Sequence, residues 1–170
     1  MSQLEWSSFE KKIYLKYPLE KLYWLWSTKA GITSWFLSDA KFFNSLGEER
    51  STEEFIKTGD TYSWFWHNWD GQEDGKVLQA NGKDFLQFEF GGSLLDIHFK
   101  EQNGIVILNL KQHQIPTDED SKLKIHFGCS NGWTFWLTNL KAFVEHGILL
   151  NETEIDLRGH ELSGYVFVNM

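Results

Sequence analysis

Cysteine is nearly absent. The 170-residue sequence has one, Cys129, which excludes a disulfide framework and a structural zinc cluster. Long apolar runs are missing too. None nears the roughly 18 residues of a membrane-spanning helix, and Met1 to Glu10 lacks the charged-then-apolar pattern of a secretory signal. Positive charge is scarce: 16 Lys and Arg stand against 24 Asp and Glu, a net charge of −8 with no long basic run. That balance argues against nucleic acid, anionic membranes and membrane insertion. The six histidines show neither H-x-x-x-H spacing nor a C-x-x-C partner, so no metal is expected. No phosphate-cradling glycine loop occurs, Gly91-Gly92 reading as a hairpin turn, and no cofactor is implied. The expectation is a soluble, cytoplasmic protein of one domain over residues 1–170. A chain of this length buries about 70% of its unfolded surface without staples.

Aromatic residues are what the sequence has in quantity. Nine Trp, fourteen Phe and five Tyr make up 16% of the chain, and such side chains suit pocket walls as well as cores. Around them the periodicity is readable. Phe9 to Leu15 alternates as a strand, and Pro18 is placed to be the first residue of a helix burying Leu19, Leu22, Leu25 and Trp26. Thr28 is suited to cap a second short helix that buries Ile32, Trp35 and Phe36. From residue 40 the period becomes two, predicting strands at 40–44, 62–68, 75–80, 85–90, 94–101 and 105–115, with a weaker one at 51–56. The separators are turn chemistry (Asn81-Gly82, Gly91-Gly92, Asn103-Gly104) and too short for crossover helices, so the sheet is an antiparallel meander. The acidic stretch Pro116 to Lys122 reads as a solvated loop. Trp133, Trp136, Leu137, Leu140, Phe143 and Val144 then recur at helical spacing, with Ser130 or Asn131 to cap the start and Gly147 to end it. The core is expected over residues 9–147. The extension 148–170 contains Ile155, Leu157, Leu162, Tyr165, Phe167 and Val168 to pack against it.

Strand, two short helices, antiparallel meander and long C-terminal helix is the helix-grip order, an α+β class. The segment Gly132 to Gly147 resembles the last helix of the activator of Hsp-90 ATPase homologue-like family, within the START and Bet v 1-like (SRPBCC) superfamily. Tyr17 to Trp26, Gly31 to Phe36, Gly59-Asp60-Thr61-Tyr62 and Gly75-Lys76-Val77 are similar to it as well. The resemblance implies a curved sheet wrapped around the long helix, with a cavity between them. It also implies, by the family's name, a chaperone as a partner.

Strand parity suggests what lines such a cavity. Leu86, Phe88 and Phe90, then Leu95, Ile97 and Phe99, then Val106, Leu108 and Leu110 face inward, as do Tyr62, Trp64 and Trp66 by choice of the more apolar set. The candidate ligand-binding residues are Trp35, Phe36, Tyr62, Trp64, Trp66, Phe88, Phe99, Trp133 and Leu137, enclosing a small hydrophobic or aromatic molecule. Two alternatives stay open: the rings enclose a void or fill it. No catalytic residue is expected. Gly128-Cys129-Ser130-Asn131-Gly132 matches G-x-S-x-G, and Asp156 and His160 follow in hydrolase order, but that elbow needs a parallel-sheet scaffold. A helix start beside Cys129 would give it thiolate character, whereas a lone Cys with no His near it in the sequence reads more simply as a small buried residue. His98 and Asp96 form a pair on the predicted solvent face. The function expected is ligand binding, with a co-chaperone-like interaction module as the alternative. A polyketide cyclase-like enzyme comes third, since it would need an inward ionisable residue such as Asp96, His98 or His113.

Overall fold

The computed structural model describes residues 5–159 and 168–169. The alternating segments form a seven-stranded sheet, antiparallel at every pairing. Its strands are β1 (Ser8–Leu15), β2 (Asp39–Phe43), β3 (Thr61–Phe65), β4 (Glu73–Ala80), β5 (Phe85–Phe90), β6 (Ser93–Gln102) and β7 (Ile105–His113). β2 to β7 run as a meander, and β1 returns to pair with β7 from Ser8 opposite His113 to Leu15 opposite Val106. The sheet is curved and unclosed. Part of its bend has a local cause: Val77 opposes Phe88 while Gln79 opposes Gln87, leaving Leu78 as an extra residue in β4.

Several strand ends fall short of the sequence expectation. β3 stops at Phe65 and β7 at His113, because Asn68 and Gln114 lie near positive φ values of 59° and 57° that turn the chain. Asn44 leaves β2 for a turn in which its side-chain oxygen accepts from the Leu46 and Glu48 amides at 2.9 and 3.0 Å. Residues 51–56 do not form a strand. Their backbone bonds to the helical segment instead, Ala30 N donating to Thr52 O at 2.9 Å and Ile56 N to Ser27 O at 2.8 Å.

Helix α1 (Leu19–Ser27) starts one residue later than expected. Pro18 is its extended N-cap at φ −61°, ψ 137°, an angle its ring permits equally well, and its carbonyl accepts from Lys21 N and Leu22 N. Thr28 caps α2 (Lys29–Thr33), its hydroxyl accepting from Gly31 N at 3.0 Å. α2 ends at Thr33, so Trp35 and Phe36 lie in the turn that follows.

The long helical rod begins before Ser130. Asp118 caps α3 (Glu119–Ser121), accepting from the Ser121 amide and hydroxyl at 3.0 and 2.7 Å. A π-helical turn (Lys122–Phe127) carries the chain without a break into α4 (Gly128–His146). The acidic run read as a loop is thus a helix start, where negative charge meets the positive end of the helix dipole. Gly147 ends α4 in the left-handed conformation, φ 68°. One apolar cluster joins Trp133, Leu137 and Leu140 of α4 to the inward residues of the sheet and to Leu22, Leu25 and Trp26 of α1. Of the tail positions, Ile155 and Val168 are exposed and Leu157 half-buried, while Leu162, Tyr165 and Phe167 lie outside the described residues. No helix among the described residues is long and apolar enough to cross a membrane.

Candidate functional site

Parity along β3, β5 and the turn after α2 brings a set of aromatic rings against one face of α4. Phe36 is the hub. Its ring centroid lies 5.1 Å from Trp35, 5.8 Å from Trp64, 5.5 Å from Trp66, 5.3 Å from Trp133 and 5.0 Å from Trp136. Behind it Tyr62, Trp64 and Phe88 close on one another at 4.4 to 5.8 Å. Trp35, Phe36, Tyr62, Trp64, Phe88, Phe99, Trp133 and Leu137 are all buried, and Trp66, just past the end of β3, is half-buried. Phe99 stands apart from the hub, edge-on to Tyr23 of α1 at 6.3 Å.

The rings leave a cleft of about 140 Å³ between the sheet and α4. Of the nine sequence candidates, Phe36, Trp66 and Trp133 line it; Phe90, Cys129, Gly132 and Trp136 complete it. None of these seven carries a formal charge at neutral pH. Trp69 stacks edge-on against Trp66 at 5.4 Å, extending the aromatic wall to the surface.

A polar chain absent from the candidates supports this wall. Trp133 Nε1 donates to Gln112 Oε1 at 3.1 Å, Gln112 Nε2 donates to Ser93 Oγ at 2.8 Å, and Ser93 Oγ donates to the Phe90 carbonyl at 2.8 Å. Gln112 is fully buried, and the chain holds helix, β7, β6 and the end of β5 in one geometry. The signal was present in the sequence, since Gln112 follows Val106, Leu108 and Leu110 at the same inward parity. Trp26 Nε1 and Trp64 Nε1 are buried without a hydrogen-bond partner. Each stands among rings instead.

Cys129 is a neutral thiol. Burial raises its pKa above the ordinary value, a hydrogen bond with Gln112 opposes that, and Glu73 adds to the rise. The helix start that would have lowered it lies at Asp118 rather than beside it. With the folded pKa above the unfolded one, the native state holds a proton that the unfolded chain loses first, so this thiol costs stability as pH rises through the thiol range. Alkylation of Cys129 by iodoacetamide at pH 8 is expected to run at least tenfold slower in the native protein than in urea. Equal rates, followed by intact mass, would contradict the assignment.

The remaining chemistry-bearing residues do not converge on the cleft. Ser130 lies within α4 with helix before and after it, so no strand-turn elbow exists there. Asp156 pairs with Arg158, and His160 lies outside the described residues. Asp96 bonds Gln87 at 2.8 Å and His113 at 3.1 Å on the outer face of the sheet, while His98 is exposed. Asp96 and His98 share the outer face, as their i, i+2 spacing predicts, and Asp96 takes His113 as a diagonal cross-strand partner. Among the described residues no group of three or more His, Cys, Asp or Glu is placed to hold a metal ion.

Residues 16–145 match the family described as activator of Hsp90 ATPase homolog 1-like protein. The chain belongs to that family. Solved structures that resemble this family member include a protein from Staphylococcus saprophyticus, at 17% identity and a TM-score of 0.68 over 86% of this chain and 97% of that one. The Aha1 dimer from Colwellia psychrerythraea matches at 16% identity and a TM-score of 0.63, covering 82% of this chain and 97% of that one. CalU16 from Micromonospora echinospora matches at 16% and 0.59, covering 82% and 77%. At these identities the likeness establishes the helix-grip fold of the family member and nothing finer. A search of curated proteins gave no match.

Proposed function

We propose that the cleft between the sheet and α4 binds a small hydrophobic or aromatic molecule. The observation that carries this reading is a concave, aromatic-walled space on the seam of the two layers, with one of its wall residues, Trp133, fixed from behind by the buried Gln112. Apolar walls with a few anchored polar groups are what small-molecule sites share. A volume near 140 Å³ is of the size that admits a benzene-like ring. Trp35, Tyr62, Trp64 and Phe88 form the packed layer behind it.

A second reading, a chaperone partner docking on the outer surface as the family name implies, is favoured by that same packing, since most of the interior is filled by rings. Titration of intrinsic Trp fluorescence separates the two. Saturable quenching by members of a chemically broad panel of small apolar compounds is expected if the cleft binds. Flat titrations across the panel would contradict the proposal and favour the surface.

A further inference from the structure

Gly132 is a glycine without a backbone reason. Gly47, Gly59, Gly82, Gly91, Gly92, Gly104 and Gly147 have positive φ, and a Cβ on Gly31 would lie 2.3 Å from the Trp24 carbonyl oxygen. Gly132 has neither constraint. It lies inside α4 with no left-handed angle, and a Cβ added there would meet nothing within 4 Å. Glycine is the least favourable helix residue after proline, so an unforced glycine in the longest helix weakens that helix with no packing gain. The open space beside it is the aromatic cleft, which Gly132 helps to line between Cys129, Trp133 and Trp136.

We infer that Gly132 keeps the cleft open and makes it selective for an uncharged, single-ring aromatic molecule. The inference rests on the ligand-binding reading above and narrows it. Size follows from the volume: about 140 Å³ matches one six-membered ring, so the second ring of a fused pair would lie outside the aromatic walls. Charge follows from the lining. Phe36, Trp66, Phe90, Trp133 and Trp136 present ring carbons, and the Cys129 thiol is held neutral. A carboxylate entering this space would lose its hydration without a cationic partner. An apolar ring gains edge and face contacts with the cleft sides of Trp66, Trp133 and Trp136, rings already held in place by their own contacts with Phe36 at 5.0 to 5.5 Å.

The test uses the full chain, calorimetric titration and three probes: benzyl alcohol, benzoate and 2-naphthalenemethanol. The wild type is expected to bind benzyl alcohol saturably and the other two at least tenfold more weakly. Gly132→Leu, which places a side chain in the cleft, is expected to weaken benzyl alcohol at least tenfold while leaving Tm at or above the wild-type value. Gly132→Ala gives an intermediate loss and a Tm higher by about 2–4 °C, which keeps the test valid should the leucine variant fold poorly. Unchanged affinity in both variants would overturn the role of Gly132, and benzoate or the naphthyl probe binding as well as benzyl alcohol would overturn the selectivity. A wild type that binds larger apolar compounds but not benzyl alcohol overturns this inference alone. A wild type that binds nothing in the broad panel overturns the ligand reading and this inference with it.

Discussion

Asp60→Ala is expected to lower stability by about 3 kcal/mol, the low end of the cost of breaking a buried ion pair, because Glu54 stays on Arg50. For a chain of this size that is a fall in Tm on the order of 10 °C. Asp60 is buried where the 57–60 turn meets the bulge in β4, and its carboxylate accepts from Arg50 Nε, from Arg50 Nη2 at 2.9 Å and from Lys57 N at 2.8 Å. The Arg50 side chain is itself only 8% exposed, so removing the carboxylate leaves a guanidinium beneath the surface with the half-exposed Glu54 as its remaining acidic partner. The Asp60 backbone is engaged too, its carbonyl accepting from Val77 N at 2.8 Å. Replacing both partners by apolar residues, as in Arg50→Met with Asp60→Leu, is expected to recover part of the loss. Thermal unfolding of the two variants checks this. A single variant as stable as the wild type would contradict it.

Asn139→Ala is expected to cost about 2–4 kcal/mol, since it leaves buried backbone groups unpaired. Asn139 is fully buried on α4. Its amide donates to the Trp35 carbonyl at 2.7 Å and to Asn151 Oδ1 at 3.2 Å, and its oxygen accepts from Leu150 N at 2.6 Å. One side chain therefore ties three segments together: the helix, the turn that carries Trp35 and Phe36, and the start of the tail. Beyond Asn151 the tail reaches the rim of the cleft. Asn68 Nδ2 donates to the Glu152 carbonyl at 3.2 Å and Leu157 N donates to Asn68 Oδ1 at 2.7 Å, two residues past Trp66. The variant is expected to lose stability and also to loosen Phe36, seen as weakened ligand quenching of Trp fluorescence. A Tm within about 1 °C of the wild type would show the clamp to be without weight.

The sheet was legible wherever one face was buried and the other was not. Leu86 and Phe88, Leu95 to Phe99 and Val106 to Leu110 alternate cleanly, and each inward residue is buried. The helix start was not legible, because an acidic run satisfies two descriptions at once, solvated loop and helix N-terminus, and only the Asp118 cap decides between them. The π-helical turn at Lys122–Phe127 hid the continuity further, since its apolar residues Leu123, Ile125 and Phe127 do not follow a 3.6-residue period and two of them are exposed. Phe55 and Ile56 looked like a strand because burial of Ile56 comes from bonding to the α1 terminus, a tertiary contact with no local signature. Within the cleft, Trp133, Phe36 and Trp66 follow from periodicity and parity. Gln112 was readable in principle, but a polar residue at the end of an apolar strand face reads as the strand's exit to solvent, and its partner Ser93 opens the preceding strand. Gly132 gives no signal in sequence, for a helical glycine is informative only once the space beside it is known.

The measurement that tests the account most directly is a two-dimensional ¹H–¹⁵N spectrum of the assigned indole N–H groups, recorded as benzyl alcohol is added. Saturable shifts concentrated in Trp66, Trp133 and Trp136 are expected, with the indole of Trp24, which does not line the cleft, unmoved. Shifts spread evenly over all nine indoles, or none at saturating probe, would contradict a binding cleft between the sheet and α4.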